Sequence, residues 1–158
     1  MDGNMETNTE MSRQRPPLAH RVARLGAAWI AGVVASMATI LGVESVGRVL
    51  YPPPAGLDPS RVADAVAIAV AMPPAAFGVV VIGWVLGAFI GSLLAVRLAR
   101  GAGLLMAAGI AALVLSGIYS VLTTLPHPAW CGWVAVPGTL LAALLAARLG
   151  RRWEWGRG

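Results

Sequence analysis

Hydrophobic and polar positions along this chain fall in blocks rather than at the short periods of a soluble protein. Residues 25–43, 73–96, 101–125 and 129–147 contain no charged side chain. Each block is close to the roughly 20 apolar residues that cross a bilayer as a helix. A backbone in lipid must satisfy its own N–H and C=O groups, so runs of this kind are helical. The pattern predicts an all-α protein, a four-transmembrane-helix bundle with spans at about 25–50, 73–97, 101–125 and 129–149. The membrane domain then covers 18–150, between a disordered polar tail at 1–17 and a second tail at 151–158.

The first loop between spans carries its own pattern. Tyr51-Pro52-Pro53-Pro54-Ala55-Gly56 cannot continue a helix, because a proline run favours extended chain and Gly56 a turn. Asp58 then reads as an N-cap with Pro59 at the first helical position. A helix from there to about Ala71 is too short to span. It places Arg61 and Asp64 on one side and Val62, Val66, Ala69 and Val70 on another. That is the pattern of a short helix lying at the membrane surface in the first outer loop.

Charge orients the spans. The chain is 58 % hydrophobic and 12 % charged, about half the charge of a soluble domain. Its formal net charge is +5 and every basic residue but the histidines is arginine. His20, Arg21 and Arg24 precede span one, Arg97 and Arg100 separate spans two and three, and Arg148, Arg151, Arg152 and Arg157 follow span four. Four spans put these clusters on one side, which the excess of basic residues makes cytoplasmic, with both termini there. There the arginines meet anionic lipid headgroups, so the basic balance needs no nucleic-acid partner. Trp130 and Trp133 open span four and Trp153 and Trp155 follow it, at the two headgroup levels that indole rings prefer. The expected address is a bacterial cytoplasmic (inner) membrane, multi-pass; the complete use of arginine over lysine fits a GC-rich genome.

Small residues recur every fourth position. Span two has Gly83, Gly87, Gly91 and Ala95, a double GxxxG; span four has Gly138, Ala142, Ala146 and Gly150. Span three has Ala108, Ala112, Ser116 and Ser120, and span one has Ala27, Ala31, Ala35 and Thr39. Helices in lipid gain little by burying apolar surface against each other, and close backbone approach on small residues supplies the contact. Packing within one chain is the preferred reading, and a homodimer face is the alternative. The segment 92–100 also resembles 143–151, with Gly87 and Gly138 aligned, which raises the question of two repeated hairpins; shared composition is the simpler account.

Candidate chemistry is sparse. Glu44 lies late in span one, and ionisable residues inside membrane helices are costly and often functional. Arg48 is one turn later, in the favourable acid-before-base order, so the two read either as an ion pair or as groups lining a transport path. His127, between two prolines in a short outer turn, reads as an exposed and inert histidine. Cys131, the lone cysteine, reads as a small apolar packing residue, and no internal disulfide can form. Thr123 and Thr124 can bond back to their own helix. No phosphate loop, GxSxG, HExxH or CxxC occurs. No enzyme, cofactor or metal is expected.

The elements Glu44-Ser45, Tyr51-Pro52-Pro53-Pro54-Ala55-Gly56-Leu57-Asp58, Pro73 to Phe77 and Gly87-Ala88-Phe89-Ile90-Gly91 resemble a group of small four-span bacterial membrane proteins. The resemblance covers about a third of the chain and implies a fold and a membrane address, but no activity. Two functional readings follow. The preferred one is a non-catalytic bundle with a structural or interaction role. The alternative is a small-solute or ion transporter or channel using Glu44 and Arg48. The topology is testable first: reporter fusions at Gly158 and near Pro54 should give opposite signals, and matching signals would mean that the span count is wrong.

Overall fold

The structure, a computed structural model, describes residues 18–99 and 101–155, with side chains for all of these but 152–155. The expected tail at 1–17, Arg100, Arg157 and the side chains of Arg152, Trp153 and Trp155 lie outside what it describes. Five helices follow in order: α1 Leu18–Leu50, α2 Val62–Ala71, α3 Pro74–Ala99, α4 Gly103–Thr124 and α5 Ala129–Trp155. All but α2 are long and apolar enough to cross a membrane, and no strand occurs among the described residues. At 1.5 Å per residue the 33 residues of α1 extend about 50 Å, well beyond a hydrocarbon core of about 30 Å. α5 runs on through Trp155, so the segment expected as a tail from 151 begins as helix.

Helix α3 is the centre of the molecule. It packs against α1, α4 and α5, whereas α1 and α5 make no close approach. Half of the apolar window of α3 is buried, against 17 % for α1. α1 therefore presents most of its surface outward, including Ile30, Val34, Met37 and Leu41. Apolar residues facing outward need no partner in lipid, where tails are as apolar as leucine.

The contact between α1 and α3 is close because the facing residues are small. A Cβ added at Gly91 would lie 2.6 Å from the Gly32 carbonyl oxygen and 2.7 Å from Ser36 Cβ. One added at Gly87 would lie 2.6 Å from Ile40 Cγ1 and 3.0 Å from the Ser36 carbonyl oxygen. Gly83 is looser, with Val43 at 3.4 Å. On the other side of α3, Val85 would meet a Cβ at Gly138 at 2.9 Å. Near the C-terminal end of α3, Val96 sits in a notch between Gly103 and Gly150, each of whose added Cβ would press on it.

Two of the four expected small-residue stripes face elsewhere. On α1 the buried line is Ala28, Gly32 and Ser36, one position on from the expected line through Ala27, Ala31 and Ala35. On α4 the expected line Ala108, Ala112, Ser116 and Ser120 is exposed, and Met106, Ile110, Val114 and Ile118 pack inward instead. Larger residues face the bundle there because α4 meets α3 where α3 has given its glycines to α1. The aligned glycines also differ in use: Gly87 faces α1, its hairpin partner, while Gly138 faces α3 rather than α4. The sequence likeness of 92–100 to 143–151 does not extend to equivalent contacts.

The basic clusters meet at one end. Arg24 Nη2 donates to the Ala99 carbonyl at 3.4 Å, at the C-terminus of α3 where carbonyls lack helix partners. Arg151 donates from Nε to the Ala147 carbonyl at 3.4 Å, and its Cγ lies 3.6 Å from where a Gly103 Cβ would be. Gly101 makes the tight connection from α3 to α4 with φ 95°, a conformation side chains disfavour.

Substitution separates the packed face of α3 from its outer face. Val81 is buried in the core, so it is no lipid-facing control; Ile90, 42 % exposed, is one. Gly87→Leu should lower stability in mild detergent by about 2 kcal/mol or more, as overpacking does. Ile90→Leu should leave the melting temperature nearly unchanged. Equal melting temperatures would show that the glycine face is not packed.

Candidate functional site

Glu44 and Ser45 lie near the C-terminal end of α1. Glu44 is half-buried, about 9 Å below the end of α1. It lines two cavities. The upper one, about 210 Å³, is bounded also by Arg48, Tyr51, Met72 and Phe77. The deeper one, about 250 Å³, is a groove between α1 and α4 floored by Trp84 of α3. It exists because α1 and α4 both pack on α3 but meet each other only sparingly. Met37, Leu41 and Leu113 line it and are exposed, so it opens toward the lipid side.

Glu44 and Arg48 both line the upper cavity, but Arg48 does not grip the carboxylate. Its Nη2 donates to Ser45 Oγ at 3.3 Å, and Ser45 Oγ in turn donates to the Leu41 carbonyl at 2.7 Å. The reason is local: Ser45 offers an acceptor one turn back on the exposed flank, where a guanidinium keeps more of its hydration. The residues share a cavity wall without a direct hydrogen-bonded ion pair.

The loop between α1 and α3 is ordered by short-range bonds. Asp58 does not cap α2. Its Oδ1 accepts from the Ser60 backbone N–H at 2.9 Å and from the Ser60 hydroxyl at 2.7 Å, closing a turn before the helix. Those bonds hold the Asp58 carboxyl below its ordinary range, the hydroxyl contributing most. α2 then starts at Val62, with Arg61 in the cap position and no side-chain cap; Pro59 lies in the preceding turn rather than at the first helical position. The cap moves because Asp58 spends its acceptor on Ser60 and the chain completes one turn before the helix begins. Arg61 and Asp64 do share a side of α2, at 3.9 Å, and the Asp58 N–H donates to Asp64 Oδ2 at 3.2 Å.

His127 is not an exposed histidine. It is half-buried, with its ring 5.1 Å from Phe77 in an edge-on arrangement and 6.3 Å from Trp84. Its Nδ1 lies 2.9 Å from the Leu125 carbonyl. The Pro126-His127-Pro128 turn thus packs on the N-terminal half of α3, and His127 meets the two aromatic residues that line the Glu44 cavities. Sequence reading missed this because nothing local marks the turn as folding inward. Cys131 is fully buried in the core, as expected of a small apolar residue. Thr123 donates to the Tyr119 carbonyl and Thr124 to the Ser120 carbonyl, also as expected. Exposed Trp130 and Trp133 sit at the start of α5.

Three hydroxyls, those of Ser36, Ser92 and Thr139, are buried without a hydrogen-bond partner. Only Ser36 among them lines a cavity described above, the groove between α1 and α4. Pro137 interrupts the hydrogen-bond ladder of α5 two residues before Thr139. Groups of three or more His, Cys, Asp or Glu side chains able to hold a metal are absent among the described residues.

No protein-family model, curated protein or solved structure matches the chain.

The arrangement of Glu44 and Arg48 makes a quantitative statement. They lie one turn apart without touching, and Arg48 acts on Glu44 only through space. A double-mutant cycle of Glu44→Gln and Arg48→Gln should therefore give a small coupling, about 0.5 kcal/mol or less, as solvent-facing helix pairs do. A coupling of several kcal/mol in thermal melts would instead mean a buried, desolvated pair.

Proposed function

We propose that this chain is a multi-pass protein of the bacterial cytoplasmic membrane that works by recognition and not by catalysis or conduction. The observation that carries this reading is the place of α3. A helix occupies the middle of the bundle, where a pore through one chain would run, and its glycines hold α1 backbone to backbone. The cavities lie to the side of α3 and not through the middle of the bundle. Residues lining the deeper one are apolar apart from Glu44 and Ser36. A conducting path needs rows of polar groups.

Sidedness follows from charge. Three arginine clusters belong at the cytoplasmic surface, beside anionic headgroups, with both termini on that side. The resemblance of the Glu44–Asp58 segment and the glycines of α3 to small bacterial four-span proteins supports the same address. The partners of such a bundle are the bilayer, a second copy or another membrane component; nucleic acid has no part in it. The exposed Ala108-Ala112-Ser116-Ser120 line of α4 is the surface a second copy would use.

A second reading, transport through Glu44 and Arg48, draws on one specific observation: Glu44 lines both cavities. Flux in proteoliposomes separates the two. The recognition reading expects no protein-dependent leak of protons, sodium or small organic cations. A flux that disappears in Glu44→Gln while the melting temperature is kept would overturn it in favour of transport.

A further inference from the structure

We infer that the groove between α1 and α4 is a binding site for a lipophilic organic cation, a small aromatic or alkyl ammonium. This deepens the recognition reading and rests on it only in treating the groove as a place of binding. The argument begins with charge. Glu44 brings the one ionisable side chain to the groove wall, and Arg48, which shares the upper cavity, does not reach this one. Arg48 is instead held on the outside by Ser45 at 3.3 Å. A carboxylate in an apolar wall with no hydrogen-bonded partner is costly; the charge of Arg48, one turn away, offsets only part of that cost, and a bound cation would offset more of it.

The remaining lining fits the same ligand class. Trp84, 5 % exposed, gives the floor an indole, the aromatic ring that attracts organic cations most strongly. Met37, Val114 and Ile118 give the apolar surface that a ring or alkyl chain needs. Ser36 is a second and independent polar observation: its hydroxyl is buried without a partner, and the residue borders the groove. Buried polar groups are normally satisfied, and an orphaned one in a cavity wall suits a ligand or a water that comes with it.

Size selects among cations. The cavity, about 250 Å³, exceeds the roughly 150 Å³ of an apolar cavity that takes up benzene. It is below the range of roughly 300–1,000 Å³ of drug-sized sites. A single ring bearing an ammonium group fits; a two-chain lipid does not. An amine lipid headgroup fits poorly for a further reason. It carries a phosphate beside the amine, and no basic side chain lines the groove to receive it.

The test is equilibrium binding to the purified full chain in lipid-free mild detergent, with benzyltrimethylammonium as the probe. Its neutral isostere, neopentylbenzene, controls for simple partition. Saturable binding of the cation, at least tenfold tighter than that of the isostere, is expected. Glu44→Gln should weaken it tenfold or more. Gly117→Leu should also weaken it, by filling the groove; a Cβ at Gly117 meets nothing within 4 Å, and an unchanged melting temperature checks that the variant folds. Arg48→Gln should leave affinity unchanged or raise it.

Equal binding of cation and isostere would overturn the inference, as would cation binding that survives both Glu44→Gln and Gly117→Leu. Displacement of the probe by an equal concentration of phosphatidylethanolamine would assign the groove to a lipid headgroup and overturn it too. Failure here leaves the flux result standing. Conversely, a Glu44-dependent flux would overturn the recognition reading without removing the binding site.

Discussion

The carbonyl of Gly32 and the Cα of Gly91 approach so closely that no side chain fits between them, and the same holds with the two glycines exchanged. The other helices are arranged around this contact. In water, burial of apolar side chains would hold α1 to α3. In lipid that driving force is nearly absent, and the attraction has to come from many atoms in van der Waals contact at short range. Glycine and serine at the crossing allow that range. Once α1 is seated on the glycine face of α3, the opposite faces of α3 are left for α4 and α5. Those faces carry Val81, Trp84, Val85, Ala88 and Val96, and the neighbours meet them with larger residues on α4 and small ones on α5.

The groove is a consequence of the same constraint. α1 and α4 each follow α3 and are kept apart by it, so a gap remains between them above Trp84. Neighbouring side chains do not fill the gap. Glu44 reaches it from the C-terminal half of α1, and Ser36, whose buried hydroxyl is unpartnered, borders it. His127 packs on Phe77 and on Trp84, the residue at the groove's floor. The cavities thus lie at the side of the bundle because a helix occupies its centre.

The spans were legible in the sequence because a charge-free run of bilayer length has few other physical solutions. The glycine face of α3 was legible too, since four-residue spacing survives any rotation of the partner. Which stripe on α1 would meet it was not, because Ala27-Ala31-Ala35 and Ala28-Gly32-Ser36 are neighbouring lines of similar composition. The exposed stripe on α4 shows the same ambiguity: small residues permit close packing without requiring it. Glu44 stood out as an acid in a span, but its relation to Arg48 depended on Ser45 competing for the guanidinium. Ser36, Trp84 and the inward turn of His127 lay beyond sequence reading, because each gains its meaning from a helix distant in the chain. The start of α2 differed by a few residues because Asp58 can serve a turn or a helix equally, and Ser60 decided for the turn.

The central claim is that α1 lies on the glycine face of α3 within one chain and away from α5. Paired cysteines test it most directly, in a Cys131→Ala background. A Cβ at Gly83 would lie 3.4 Å from Val43 Cβ, close to the roughly 3.5–4.5 Å of a disulfide. Val43→Cys with Gly83→Cys should crosslink readily under mild oxidation in native membranes, as a monomer on gels. Val43→Cys with Gly138→Cys should not. A crosslink of the second pair, or capture of the first pair only as a covalent dimer, would contradict the arrangement.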